Sequence, residues 1–209
     1  VVGSFMIKLV NIPILLRIRK IDMGYDEKIF KAKANIKARR LWLVFAILLT
    51  ANYGTDTVNG AYSVSNYIIF VILCWLPFVC GDILLKKKGK DNDHYRLAFV
   101  IGYGIFYVFL LCTTTSPIAF TYILPIISLI VIFKDEKFMI YCAVANMLSL
   151  IASIAFHIFV LGQNTAIDHK NFQLQIACLL LCYIGYIMSV RHLTESDAAL
   201  TESIKSDLN

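Results

Sequence analysis

Charge is scarce in this sequence. Asp, Glu, Lys and Arg make up only 16% of its 209 residues, where a soluble domain of this size carries about a quarter. Hydrophobic residues account for 59%, and the mean hydropathy is +0.71. These values exclude an ordinary soluble domain as the starting class. Catalytic signatures are missing too. There is no G-x-S-x-G, no HExxH, no pair of intramembrane carboxylates and no glycine loop able to cradle phosphate. Gly102-Tyr103-Gly104 lacks the third glycine and the preceding strand. An enzyme is not expected. Six cysteines (Cys74, Cys80, Cys112, Cys142, Cys178 and Cys182) form no CxxC pair, so they read as small apolar fillers rather than a zinc site or disulfide frame. No metal or cofactor is called for. The sequence also lacks a repeat of 20–50 residues, a cleavable signal peptide and any outer loop long enough to form a sensing domain.

What is present is a series of apolar runs of bilayer length. The sequence predicts an all-α polytopic membrane protein: a six-helix transmembrane bundle over 38–190, a basic helical segment over 1–37 and a helical tail over 191–209. The spans fall at about 38–54, 64–85, 97–113, 117–133, 138–162 and 172–190. Residues 5–18 read as an interfacial amphipathic segment. Trp42 and Tyr53 fall near the two ends of the first span, where interface aromatics belong. Pro77 sits inside the second. Ser116 and Pro117 read as N-cap and first helical residue of the fourth, and Pro125 is expected to free a backbone carbonyl farther along it. The missing initial Met suggests a fragment or a processed end.

The net charge of +6 is sorted by loop, which argues for topology rather than nucleic acid. Of the 20 Lys and Arg, only Lys170 falls on the side opposite the others. The positive-inside rule therefore puts both termini in the cytoplasm. Asp82 is the single acid within a span. Lys86 follows four residues later, as in a helix-surface ion pair.

One polar stripe stands out. Cys142, Asn146, Ser149, Ser153 and His157 recur at helical spacing on the fifth span and should face the bundle, because polar groups need partners in lipid. They read either as packing residues or as the wall of a ligand pocket opening outward. Asn146, Ser149, Ser153 and His157 are the candidate ligand residues. Tyr103, Tyr107 and Thr121 on neighbouring spans join them as weaker candidates.

The C-terminal stretch organises the rest. Leu193-Thr194-Glu195-Ser196 recurs one heptad later as Leu200-Thr201-Glu202-Ser203. Leu193, Leu200 and Ile204 then share one side of a helix, as a coiled-coil seam requires. No residue at Arg191-His192 stops the last span from continuing into this seam. The pattern runs on to Asn209, so an output module is expected beyond it. The run Ala199–Lys205 and the ending Ser206-Asp207-Leu208-Asn209 resemble the membrane exit of bacterial methyl-accepting chemotaxis proteins, particularly clostridial ones with several spans. The resemblance covers about twenty residues. It implies a homodimeric receptor in a bacterial cytoplasmic membrane, whose output domain engages a coupling protein and a histidine kinase. The function expected is thus a membrane input module of a signal-transducing receptor. The alternative is a small-molecule transporter or permease subunit.

Overall fold

The computed structural model describes the backbone of residues 2–114 and 116–207, and the side chains of 27–114, 116–204 and 206. The chain is all-helical, with no strand among the described residues. The elements are α1 (Val2–Val58), α2 (Val64–Lys88), α3 (His94–Thr113), α4 (Leu124–Ile130), α5 (Glu136–Phe159) and α6 (Ala166–Asp207). Short 3₁₀ segments, Ala119–Ile123 and Val131–Phe133, flank α4. Five helices are long and apolar enough to cross a membrane, through Glu27–Val58 in α1, α2, α3, α5 and Ala166–Ile204 in α6.

Their outer faces are apolar. Val44, Ile47 and Leu48 of α1, Leu97, Ile101 and Ile105 of α3, and Val144, Leu148 and Ile151 of α5 are all exposed at helical spacing. Asn146, Ser153 and His157 are buried. An apolar outer face around a largely apolar core differs from a water-soluble helix bundle, whose outer face is polar.

The sequence divides 5–54 into an interfacial segment, a basic flank and a span, but the backbone makes all of it one helix. How 5–18 would meet an interface concerns side chains outside those described. Trp42 and Tyr53 are corrected from interface anchors to core residues. Trp42 is buried edge-on against Phe99 and Tyr103, and Tyr53 is stacked between Tyr62 and Phe70. Interior packing of large rings outweighs interface placement here. Neither the Trp42 Nε1–H nor the Tyr53 hydroxyl has a hydrogen-bond partner among the described residues.

The fourth apolar run is also corrected. Pro117 and Ile118 form a turn closed by the Ala119 N–H on the Ser116 carbonyl at 3.1 Å, and helix starts only at Ala119. Pro125 falls in the first turn of α4, where its missing N–H costs no bond. The carbonyl it was expected to free, that of Thr121, accepts the Leu124 N–H in the tighter 3₁₀ pattern.

The run 119–133 is the inner strut of the bundle. Ala119, Phe120, Ile123, Ile126, Ile127, Leu129 and Ile130 are buried. Its irregular winding lies inside protein, where neighbouring groups can satisfy the freed backbone. Tyr107 donates to the Phe120 carbonyl at 3.0 Å, and the Tyr103 hydroxyl donates to the Tyr122 carbonyl. These two phenols satisfy carbonyls that a continuous α-helix would have satisfied itself. At rises of about 1.5 Å per α and 2.0 Å per 3₁₀ residue, the strut is roughly 26 Å long.

The two ends of the bundle differ in charge. Every ion pair among the described residues lies at one end, including Lys31–Asp93 at 3.1 Å, Arg39–Asp82 at 2.5 Å, Lys86–Asp82 at 3.0 Å and Arg96–Asp135 at 2.7 Å. Lys134–Asp197 and Arg191–Glu136 fasten α6 there. Asn35 donates to the carbonyls of Lys90 and Asn92 at 2.9 and 3.0 Å. Asp135 belongs to this end too. Burial raises its carboxyl, but the Phe138 N–H and the Arg96 guanidinium outweigh that and hold it below the usual carboxylate range. The loops 59–63, 114–118 and 160–165 form the opposite end. The strut leaves the Thr114 end and arrives beside Arg96, so it runs the height of the bundle.

Candidate functional site

The opposite end holds a small polar cavity of about 80 Å³, enclosed by the end of α3, the 116–120 turn, α5 and the start of α6. Water fills liquid at about 30 Å³ per molecule, so the space suits a few waters or one small polar solute. Ser153, His157, Gln163, Asp168, Asn171 and Gln175 supply its polar wall, while Phe120 and Phe172 supply much of its apolar wall.

His157 is the centre of this site. It lies in the last turn of α5 and is 7% exposed. Its Nε2 stands 2.7 Å from the Leu111 carbonyl, and its Nδ1 stands 2.9 Å from Gln163 Oε1. A carbonyl only accepts, so Nε2 carries a proton. The Nδ1 of a neutral ring then accepts from the Gln163 amide turned over, whereas a cationic ring donates to Oε1. Either way the ring ties α3, α5 and the 160–165 loop together. Gly162 (φ 69°) gives that loop its left-handed turn, and the Gln163 N–H closes it on the His157 carbonyl at 3.0 Å.

One helical turn deeper, Ser153 is 4% exposed. Its hydroxyl has no nitrogen or oxygen partner among the described residues; the Cys112 thiol lies beside it. Gln175 donates to the Pro117 carbonyl at 2.9 Å, holding the 116–118 turn against α6. Thr165 and Asp168 cap α6 reciprocally. The Thr165 N–H reaches the carboxylate at 2.9 Å, and the Asp168 N–H reaches Thr165 Oγ1 at 3.2 Å. The hydroxyl bond from Thr165 leads in holding the Asp168 carboxyl below its usual range.

Of the candidate ligand residues, Ser153 and His157 line this cavity, and the others lie elsewhere. Asn146 is buried at the α5–α6 contact and donates to the Tyr183 hydroxyl. Ser149 is half-buried and bonds its own helix at the Ala145 carbonyl, 2.9 Å away. Tyr103 and Tyr107 are occupied with the strut. Thr121 bonds the Ile118 carbonyl at 2.7 Å. Gln163, Asn171 and Gln175 were missed, because nothing in a short loop or in the second and third turns of a helix distinguishes an inward carboxamide from a solvated one. Among the described residues no group of three His, Cys, Asp or Glu could hold a metal.

Family models, curated proteins and solved structures give no match to this chain.

At the basic end, α6 continues unbroken through Arg191 and His192, so the uninterrupted exit expected from the sequence is present as backbone. Leu193, Leu200 and Ile204 are all exposed, Leu193 the least of the three. Asp197 lies on the same face and is bonded to Lys134 of its own chain. Asp197 therefore interrupts this exposed apolar face between Leu193 and Leu200.

Proposed function

We propose that this chain is the membrane input module of a receptor, crossing the bilayer six times with both ends in the cytoplasm. It receives a signal at the Ser153–His157 cavity or within the bundle and passes it outward along α6. The observation that carries this reading is the unbroken 42-residue α6. One end of that helix walls the cavity, and the other stands clear of the bundle with an apolar seam. The strut 119–133 is the sixth crossing. It is short, but it is sheathed by α3 and α6, and its 3₁₀ turns stretch it toward the roughly 30 Å of a hydrocarbon core. The gathering of ion pairs and basic residues at one end supports a cytoplasmic placement for that end.

The output is of the chemotaxis type. The seam makes a parallel homodimer, and an output domain engages a coupling protein and a histidine kinase. This rests on the resemblance of the Ala199–Asn209 stretch to methyl-accepting chemotaxis proteins. Single cysteines in membranes test the dimer: Leu200→Cys and Ile204→Cys should cross-link between subunits, and Glu195→Cys and Glu202→Cys on the opposite face should not. Equal cross-linking at all four would remove the seam. Cysteines at Gly60 and Thr165 should react with an impermeant reagent from outside and one at Asn92 should not; the reverse would invert the topology. Flux of small solutes into proteoliposomes, abolished by filling the cavity with Ser153→Leu, would favour a transporter instead.

A further inference from the structure

The groove between α1 and α2 at the basic end has no role in the reading above. It is open, encloses about 550 Å³, and is lined by Arg39, Arg40, Lys86, Lys90, Asp82, Ile36, Leu85 and Gly89. Four cations thus face one carboxylate. Asp82 is committed twice, to Arg39 Nε at 2.5 Å and Lys86 Nζ at 3.0 Å. Its hold on Nε, with the Phe78 ring 5.8 Å from the guanidinium, fixes the arginine while leaving both terminal nitrogens without an acid. Arg40 and Lys90 pair with no acid among the described residues and are exposed. The groove therefore has fixed, unspent positive charge rather than a neutralised network.

Its surroundings say what kind of anion fits. On α2, Ile72, Leu76, Val79 and Ile83 are all exposed and lie at spacings of three and four, as does Lys86 after them. One helix face thus passes directly from an apolar stripe into one of the groove's cations, Lys86, and Lys90 follows just past the helix end at Gly89 (φ 93°). On α1, Leu43 and Ile47 are exposed one and two turns above Arg40. A ligand matching both parts is anionic at one end and long and apolar at the other. We infer that this groove is a binding site for an anionic phospholipid, its phosphodiester held by Arg39, Arg40, Lys86 and Lys90 and an acyl chain lying along Ile83, Val79 and Leu76. Asp82 acts as a positioning residue: it orients Arg39 and touches no phosphate. Basic pockets between helices at the cytoplasmic face recognise lipid headgroups by this chemistry.

The inference rests on the bilayer placement proposed above, and the experiment separates the two. The full chain is reconstituted into phosphatidylcholine vesicles with and without phosphatidylglycerol, and co-purifying lipid is measured by native mass spectrometry. Failure to insert into either vesicle would overturn the bilayer placement, and the lipid site with it. Insertion with no preference for phosphatidylglycerol overturns the lipid site alone. The expected result is selective retention of phosphatidylglycerol, reduced roughly tenfold by Arg40→Gln with Lys90→Gln. Lys87→Gln with Lys88→Gln removes equal charge outside the groove and should leave retention nearly unchanged; an equal loss would mean diffuse surface attraction and no site. Arg40→Lys with Lys90→Arg keeps the charge and should keep retention, which guards against loss through misfolding. Displacement of the lipid by inorganic phosphate would assign the groove to a soluble anion and overturn the lipid.

Discussion

Gly102 of α3 and Pro77 of α2 touch so closely that a Cβ on Gly102 would stand 2.3 Å from the proline Cβ. The backbones of the two helices meet there through the smallest side chain available. Gly102→Ala should force α2 and α3 apart and lower stability by about 1–3 kcal/mol. Gly104, two residues on, has open space around its Cα. Gly104→Ala should therefore be neutral or stabilise by a few tenths to about 1 kcal/mol through helix propensity. Denaturation midpoints of the two variants in one detergent should move in opposite directions or differ by the larger loss. Equal midpoints would mean that the close approach is not maintained.

Asn146 and Tyr183 form one unit across the α5–α6 contact. Asn146→Leu and Tyr183→Phe should each cost about 1 kcal/mol, in the range of hydrogen bonds between membrane helices. The double variant should cost less than the two single losses combined, because neither partner is then left unsatisfied. Strict additivity in a double-mutant cycle would mean that the two groups do not interact.

These two contacts show what a sequence can and cannot announce. The Asp82–Lys86 pair was legible because both residues lie on one helical turn, and the burial of Asn146, Ser153 and His157 because they share a face. Arg39 joins Asp82 from 43 residues away, and Tyr183 meets Asn146 from 37 residues away; no local spacing encodes either. Trp42 was misplaced because a ring near the end of an apolar run has the same signature whether it points to the headgroups or into the bundle. The strut was read as a plain span because apolar content does not distinguish α from 3₁₀ winding. For the same reason Tyr103 and Tyr107 looked like pocket residues, when their hydroxyls complete the strut's backbone bonding.

Asp135 should give stability an acid limb. Its carboxyl lies below the usual range in the native state, so the unfolded state takes up a proton first as the pH falls. Its contribution is full above about pH 4 and is lost as the pH drops through the lowered native value. Asp135→Asn removes the titration. Measured from pH 7 downward, the stability gap between wild type and this variant should hold to about pH 4 and then close. A gap that is constant down to pH 2 would mean that Arg96 and the Phe138 N–H do not favour the charged form.

Insertions after His192 test transmission along α6. One added residue turns everything beyond it by about 100° relative to the bundle. Seven added residues nearly restore the direction, since two turns take about seven. In a receptor carrying an output domain, the single insertion should lock or scramble signalling and the seven-residue insertion should leave it largely working. Indistinguishable outputs would mean that the tail is a tether.

The Lys134–Asp197 and Arg191–Glu136 pairs grip α6 over two turns, and beyond them the helix continues free to Asp207. From Asp197 to Asp207 that free arm measures about 15 Å. If the grip acts as a fulcrum, a tilt of about 10° within the bundle swings the far end by roughly 3 Å, a little under the spacing of adjacent residues along a chain. The arm converts an angle too small to repack the core into a displacement that a neighbouring helix can register. Moving the fulcrum one turn toward the bundle would lengthen the arm and increase the gain.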